Sequence, residues 1–185
     1  MIDVIRFASR NKDNKNIPNF HQRSESIIVN LDWDLDKIKA AFEQFVAEGV
    51  PGETSRLYVS VNHRNDDTAN RLLLHYLLDH PDLPATKLQS KYIGLLMRKE
   101  SAATSKWLFD FDMDGIPDGF DIDSFINLLR NNGFAEDEIH YRPSMNGYHV
   151  IVDHGFDSRN VLETFPNVTL KRDDLTLIDW ATNPS

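Results

Sequence analysis

The chain has 185 residues, 41% of them hydrophobic and 10% aromatic, with 29 acidic against 20 Lys and Arg side chains and a formal net charge of −9. That is the size of one domain with a real core, and it lacks the basic excess of a protein coated for nucleic acid. There is no cysteine, which excludes zinc ribbons, iron–sulfur clusters, disulfides and thiol catalysis. The N-terminus has no h-region and no apolar run is long enough to span a bilayer, so a cytoplasmic protein without membrane contact is expected.

Residues 1–25 are polar apart from Met1–Phe7 and predict a strand or arm followed by a loop. Ser26–Val29 offers a short strand. From Leu35 a helix is expected, with Leu35, Ile38, Phe42, Phe45 and Val46 on one stripe and Gly49 as its stop. Asp32, Asp34 and Asp36 before it fit capping and first-turn acids better than a second metal site. Pro51-Gly52 marks a turn and Arg56–Val61 alternates like a strand. Asn65 or Asp66 caps a helix with Ala69, Leu72, Leu73, Tyr76 and Leu77 on one face, ended by His80-Pro81. Pro84–Met97 predicts a further helix with Leu88, Ile93 and Leu96 inward. A polar loop at 101–105 follows.

From there the pattern shortens. Lys106–Asp112 predicts a strand, and Asp123 or Ser124 caps a helix carrying Phe125, Leu128 and Leu129, ended by Gly133. Ile139–Arg142 and Tyr148–Val152 read as strands around an Asn146-Gly147 turn. Ser158–Thr164 is a short helix, and Val168–Leu170 with Leu175–Asp179 supply the last strand or strands. The fold class is therefore α+β, and the order β-α-β-β-α-β is that of an RNA-recognition-like antiparallel sheet.

The chemistry concentrates at Trp107–Asp114. An apolar strand delivers Asp110 and Asp112 to one face, about 7 Å apart along the chain. Carboxylates held that close repel unless a cation sits between them. Six aspartates lie from Asp110 to Asp123, so the net charge says little about any single groove.

Three readings compete for this stretch. Asp110, Asp112, Asp114, Gly115, Asp118 and Asp121 match an EF-hand-like calcium loop at 110–121, which predicts a calcium-stabilised binding module without catalysis. The run Leu108–Gly115 also resembles the nucleophile strand of haloacid-dehalogenase-type phosphatases, which need a parallel sheet and later Lys and acidic motifs.

The third reading uses more of the chain. Phe109-Asp110-Phe111-Asp112, then Gly147-Tyr148-His149, then Leu177-Ile178-Asp179 resemble, in order, the motifs of the archaeo-eukaryotic primase superfamily. Pro143–Ile151 is similar to the Pro-Ser-Gly-Gly-Tyr-His stretch of phage and plasmid primase–polymerases. The resemblance covers Lys106–Trp180. It implies an RNA-recognition-like catalytic unit over 106–185 packed with an N-terminal α/β unit at 26–100, the arm at 1–25 completing one compact domain.

It further implies a nucleotidyltransferase of DNA replication or repair that joins nucleotides with Mg²⁺ or Mn²⁺. Asp110, Asp112 and Asp179 are then the catalytic metal ligands. His149, Ser144, Arg142 and Lys171 are the nucleotide-binding residues. The partners implied are nucleoside triphosphates, a single-stranded DNA template, and a helicase or other replication proteins. His63-Arg64 either faces the same groove or forms a polar turn before a helix cap.

Overall fold

The computed structural model describes residues 1–112 and 122–184. It is α+β, built on two four-stranded sheets in which every pairing is antiparallel. The first sheet runs β2(Arg23–Asn30)–β1(Ile2–Ser9)–β3(Thr54–Ser60)–β8(Leu175–Thr182). The second runs β5(Ile139–Ser144)–β6(Gly147–Val152)–β4(Trp107–Asp112)–β7(Val168–Lys171). The helices are α1(Leu35–Ala47), α2(Asp66–Asp79), α3(Ala85–Leu96), α4(Ile122–Asn131) and α5(Arg159–Thr164).

β1 is an inner strand rather than an arm, because its alternation serves two layers. Ile5 and Phe7 meet Ile38, Phe42 and Phe45 of α1, with Phe7 ring centroids 5.7 and 5.6 Å from those of Phe42 and Phe45. Ile2 and Val4 meet Ala69 of α2 and Ile93 and Leu96 of α3. Farther along the same face as Ile2 and Val4, large apolar residues give way to Arg6 and the small Ala8. Burying each large apolar side chain contributes roughly 1.5–3 kcal/mol.

The caps follow the expected chemistry. The Asp34 carboxylate accepts from Asp36 N–H at the start of α1, and the Asn65 side chain accepts from Thr68 N–H at the start of α2. Leu35 and Leu88 were expected inward and are 42% and 40% exposed; Leu95 takes the inward position on α3. On α2 only Ala69 is buried.

In the second sheet α4 and α5 cover one face. Phe109 and Phe111 enter that core edge-on to Phe125, at 5.2 and 4.6 Å between centroids. Ser144 and Gly147 pair across the β5–β6 turn, and Gly147 has no positive φ. The hairpin therefore turns at Met145-Asn146, one residue earlier than the Asn-Gly signal suggested.

The two sheets are tied by a polar junction under Asn62. Its side-chain N–H donates to Lys106 O and to Asp173, while its oxygen accepts from Thr104 and from Lys106 N–H. Arg64 is fully buried and grips Asp173 with two bonds of 2.9 and 2.7 Å. The unit boundaries expected from the sequence do not hold, since β8 leaves the C-terminal sheet and pairs with β3.

Candidate active site

The placement of Asp110 and Asp112 follows from the strand that carries them. With Phe109 and Phe111 buried under the helices, alternation turns Leu108, Asp110 and Asp112 to the uncovered face. Leu108 packs there on Val61 and Ile151. Asp110 is half-buried and Asp112 is exposed at the strand end, opposite Gly147, which has no side chain to crowd it.

His149 of β6 is directly opposite Asp110 and is 6% exposed. Its Nδ1 accepts from Leu177 N–H at 3.2 Å and lies 3.0 Å from Thr176 Oγ1. A ring nitrogen that accepts from an amide carries no hydrogen, so in neutral imidazole the hydrogen is on Nε2. Nε2 lies 3.3 Å from Asp110 Oδ1. The other carboxylate oxygen, Oδ2, is 3.1 Å from Lys171 Nζ, and that ammonium is also 3.2 Å from Asp174 Oδ2. Burial pushes Asp110 up, but the His149 hydrogen bond and the Lys171 charge outweigh it and hold the carboxyl at about 2. For Lys171, burial acts downward while Asp174 and Asp110 act more strongly upward, and the ammonium ends above its ordinary range.

Across from this wall stands the basic end of the first sheet. Arg6 and Ala8 of β1 are in register with Tyr58 and Arg56 of β3, and Arg10 follows. Arg6 Nε donates to Ser26 Oγ at 3.0 Å. Arg10 and Arg56 both bind Asp13, whose carboxyl is pushed up by burial and brought below its usual range by these two guanidiniums. Arg56 is 7% exposed, and its Nε has no hydrogen-bond partner among the described residues. Arg23 is held by Glu53 at 2.6 Å and lies 3.9 Å above the Phe45 ring. Buried Asn14 pins the loop between β1 and β2, accepting from Thr54 N–H and donating to Ser9 Oγ, Arg10 O and Thr54 O.

Between the walls is a cleft of about 490 Å³. Asp110, Asp112, Ser144, His149 and Lys171, all named from the sequence, line it. Arg142 is one strand farther out, opposite His149 in the β5–β6 register and outside the lining.

Asp179 is not in the site. It was expected on a strand beside β4, but β7 fills that edge and β8 pairs with β3. A register shift between Leu57 and Tyr58 sets Asp179 opposite Leu57, on the α1 side, where it meets Lys39 at 3.5 Å. Asp174, in the turn between β7 and β8, is the third acid in the cleft. His63 and Arg64 bind Asp3 and Asp173 instead of lining the cleft. The residues that sequence reasoning missed are the cations of the opposite wall. Their one signal was Arg6-Phe7-Ala8-Ser9-Arg10, which puts two arginines on one face of a strand with a small residue between them.

Among the described residues no group of three or more Asp, Glu or His is gathered to hold a metal ion by itself. Asp110 and Asp112 are hard oxygen donors on one face, and that pair fits an ion that completes its shell with substrate oxygens and water, as Mg²⁺ commonly does. The calcium-loop reading needs a helix entering at Asp110, where β4 stands, and its Asp114, Gly115, Asp118 and Asp121 lie outside the described residues. The phosphatase reading needs a parallel sheet, and both sheets are antiparallel. Among the described residues no helix is long and apolar enough to cross a membrane. No family model matches the chain, and the searches of curated proteins and of solved structures found no match.

Proposed function

We propose that the protein is a primase–polymerase-like nucleotidyltransferase that joins nucleotides in the cleft between its two sheets, as an enzyme of DNA replication or repair. The observation that carries the reading is the pairing of opposed walls. Asp110 and Asp112 stand on one, and Arg6, Arg10, Lys12 and Arg56 on the other. A substrate with a metal-binding polyphosphate and a polyanionic strand needs both signs of charge in one groove.

The second sheet supports the same reading, since its strand order β5-β6-β4-β7 and its β-α-β-β-α-β sequence are those of an RNA-recognition-like unit. Asp110 and Asp112 hold Mg²⁺ or Mn²⁺, which supplies charge neutralisation for the triphosphate and the attacking 3′-oxygen. His149 directs Nε2–H along the sheet surface beside Asp110, with Ser144 and Lys171 at the same rim and Arg142 a strand beyond. These groups orient the phosphates by charge-assisted hydrogen bonds. A single-stranded DNA template follows the arginines of the first sheet, and a helicase or other replication protein is the kind of partner that fits such an activity.

The test is incubation with labelled nucleoside triphosphates, Mn²⁺ and single-stranded DNA, resolved on a denaturing gel. Extension products are expected, and Asp110→Asn with Asp112→Asn should abolish them. No product under these conditions, or product that survives the double substitution, overturns the reading.

A further inference from the structure

Each carboxylate oxygen of Asp110 already has a partner: Oδ1 faces His149 Nε2 at 3.3 Å and Oδ2 faces the Lys171 ammonium at 3.1 Å, and the positive charge of the second opposes a cation. The two contacts differ in permanence. His149 is 6% exposed and anchored on its far side by Leu177 N–H and Thr176, so it is fixed by both sheets. Lys171 has a side chain 34% exposed and a second carboxylate within reach, Asp174 Oδ2 at 3.2 Å. Asp174 is itself held in place, since its Oδ1 accepts from Leu175 N–H and its backbone oxygen accepts from Val61 N–H. The ammonium therefore stands at the end of β7 between a ligand and a fixed resting place.

We propose that Lys171 acts as an internal counter-ion that holds Asp110 closed to metal until a polyphosphate arrives, then gives up Asp110 for Asp174 and the phosphates. The inference rests on the nucleotidyltransferase reading of the cleft. An ammonium is a compact point charge that neutralises a carboxylate without ligating anything. It and a divalent cation cannot both sit about 3 Å from one oxygen without strong repulsion. Metal entering alone must expel Lys171 with only Asp174 to receive it, which suppresses affinity for the free ion. Metal entering with a polyphosphate gives the ammonium a second anionic partner. Divalent ion and nucleotide therefore bind with positive coupling, and linkage makes that coupling equal in both directions. The device keeps the carboxylate pair from loading a metal in the absence of substrate.

The experiment is titration of Mn²⁺ followed by electron paramagnetic resonance, with and without a non-hydrolysable nucleoside triphosphate, on wild type, Lys171→Met and Lys171→Gln. Arg172→Gln is the control. It removes the same unit of charge from the next residue, whose guanidinium lies over Trp107, 5.0 Å from the ring centre, rather than in the cleft. Without nucleotide, both Lys171 variants should bind Mn²⁺ at least about fivefold tighter than wild type, the low end of ordinary coupling factors. Arg172→Gln should stay within about twofold. The gain in Mn²⁺ affinity that nucleotide confers on wild type should largely vanish in the Lys171 variants. Two results overturn the inference while leaving the nucleotidyltransferase reading intact: a Lys171 variant that folds and binds Mn²⁺ within twofold of wild type, or an equal gain in Arg172→Gln. A wild type that binds neither Mn²⁺ nor nucleotide overturns both.

Discussion

Asp110 and His149 face each other in register across β4 and β6, Nε2 to Oδ1 at 3.3 Å, and the far side of the same ring is bonded to β8 of the other sheet. One imidazole thus links the acidic wall of the cleft to β8, whose first residue, Leu175, lines it. Its tautomer follows from the Leu177 N–H it accepts. Long-range proton–nitrogen spectra should show hydrogen on Nε2 and an acceptor-type Nδ1. The opposite tautomer would mean that His149 does not donate to Asp110.

Replacing His149 tests position and stability together. His149→Ala should weaken nucleotide affinity by about 1–3 kcal/mol, the worth of a hydrogen bond to a charged group. It should also lower unfolding stability by roughly 1–3 kcal/mol, because it leaves buried Leu177 N–H without its acceptor. Mn²⁺ affinity without nucleotide should change little, since the Lys171 ammonium still opposes a cation at Asp110. Loss of metal binding with nucleotide binding retained would show that the ring acts on the ion.

Asp110 supplies stability through its charge. Its folded carboxyl is held at about 2, below the unfolded value of 3.8, so the contribution is complete above about pH 5 and is lost progressively as pH falls through 3.8 and then 2. The like-charge repulsion from Asp112 is therefore the smaller effect at this position. Asp110→Asn should be less stable than wild type by about 1–2 kcal/mol at pH 7. The two proteins should draw together between about pH 5 and pH 2 in urea titrations. A gap that persists undiminished at pH 2 would place its origin in packing.

The Asn62 junction predicts the most costly substitution outside the cleft. Arg64 is fully buried, and among the described residues Asp173 is its acidic partner. Removing one member strands a buried charge, which costs about 3–5 kcal/mol. Asp173→Asn, measured by denaturant unfolding, should fall near that range, and a loss under 1 kcal/mol would mean the guanidinium finds another acceptor.

The basic wall predicts modest salt dependence. Of its cations, Arg10, Arg56 and Arg23 are already bound to Asp13 and Glu53, which leaves Arg6 and Lys12 to supply most of the new contacts. Affinity for single-stranded DNA should fall with salt at a slope for fewer than about five phosphates, close to −0.7 per contact. Arg6→Ala should lower the slope by about one contact. A slope above six contacts would place the binding surface elsewhere.

Much of this architecture is legible in one dimension because it rests on local rules. The α1 stripe from Ile38 to Val46, the alternation that sends Phe109 and Phe111 inward and Asp110 and Asp112 outward, and the β-α-β-β-α-β order follow from periods of 2 and 3.6, and the Asp34 and Asn65 caps from local side-chain chemistry. Leu88 and the Asn146-Gly147 turn failed for a matching reason: more than one local solution satisfies the same pattern, and neighbours chose between them.

What only the tertiary structure decided is partnership between distant segments. Leu175–Asp179 has the alternation of a strand, and nothing in that alternation says which sheet it joins. β7 had already filled the edge of β4, so β8 crossed to β3, the shift at Leu57 and Tyr58 turned Asp179 toward α1, and Asp174 was left in the cleft. The arginine wall is a second case. Arg6 and Arg56 are remote in sequence, and the register of β1 on β3 brings them to one face. Strand geometry aims a side chain at one of two sides, whereas the identity of what stands on that side depends on contacts that no local period encodes.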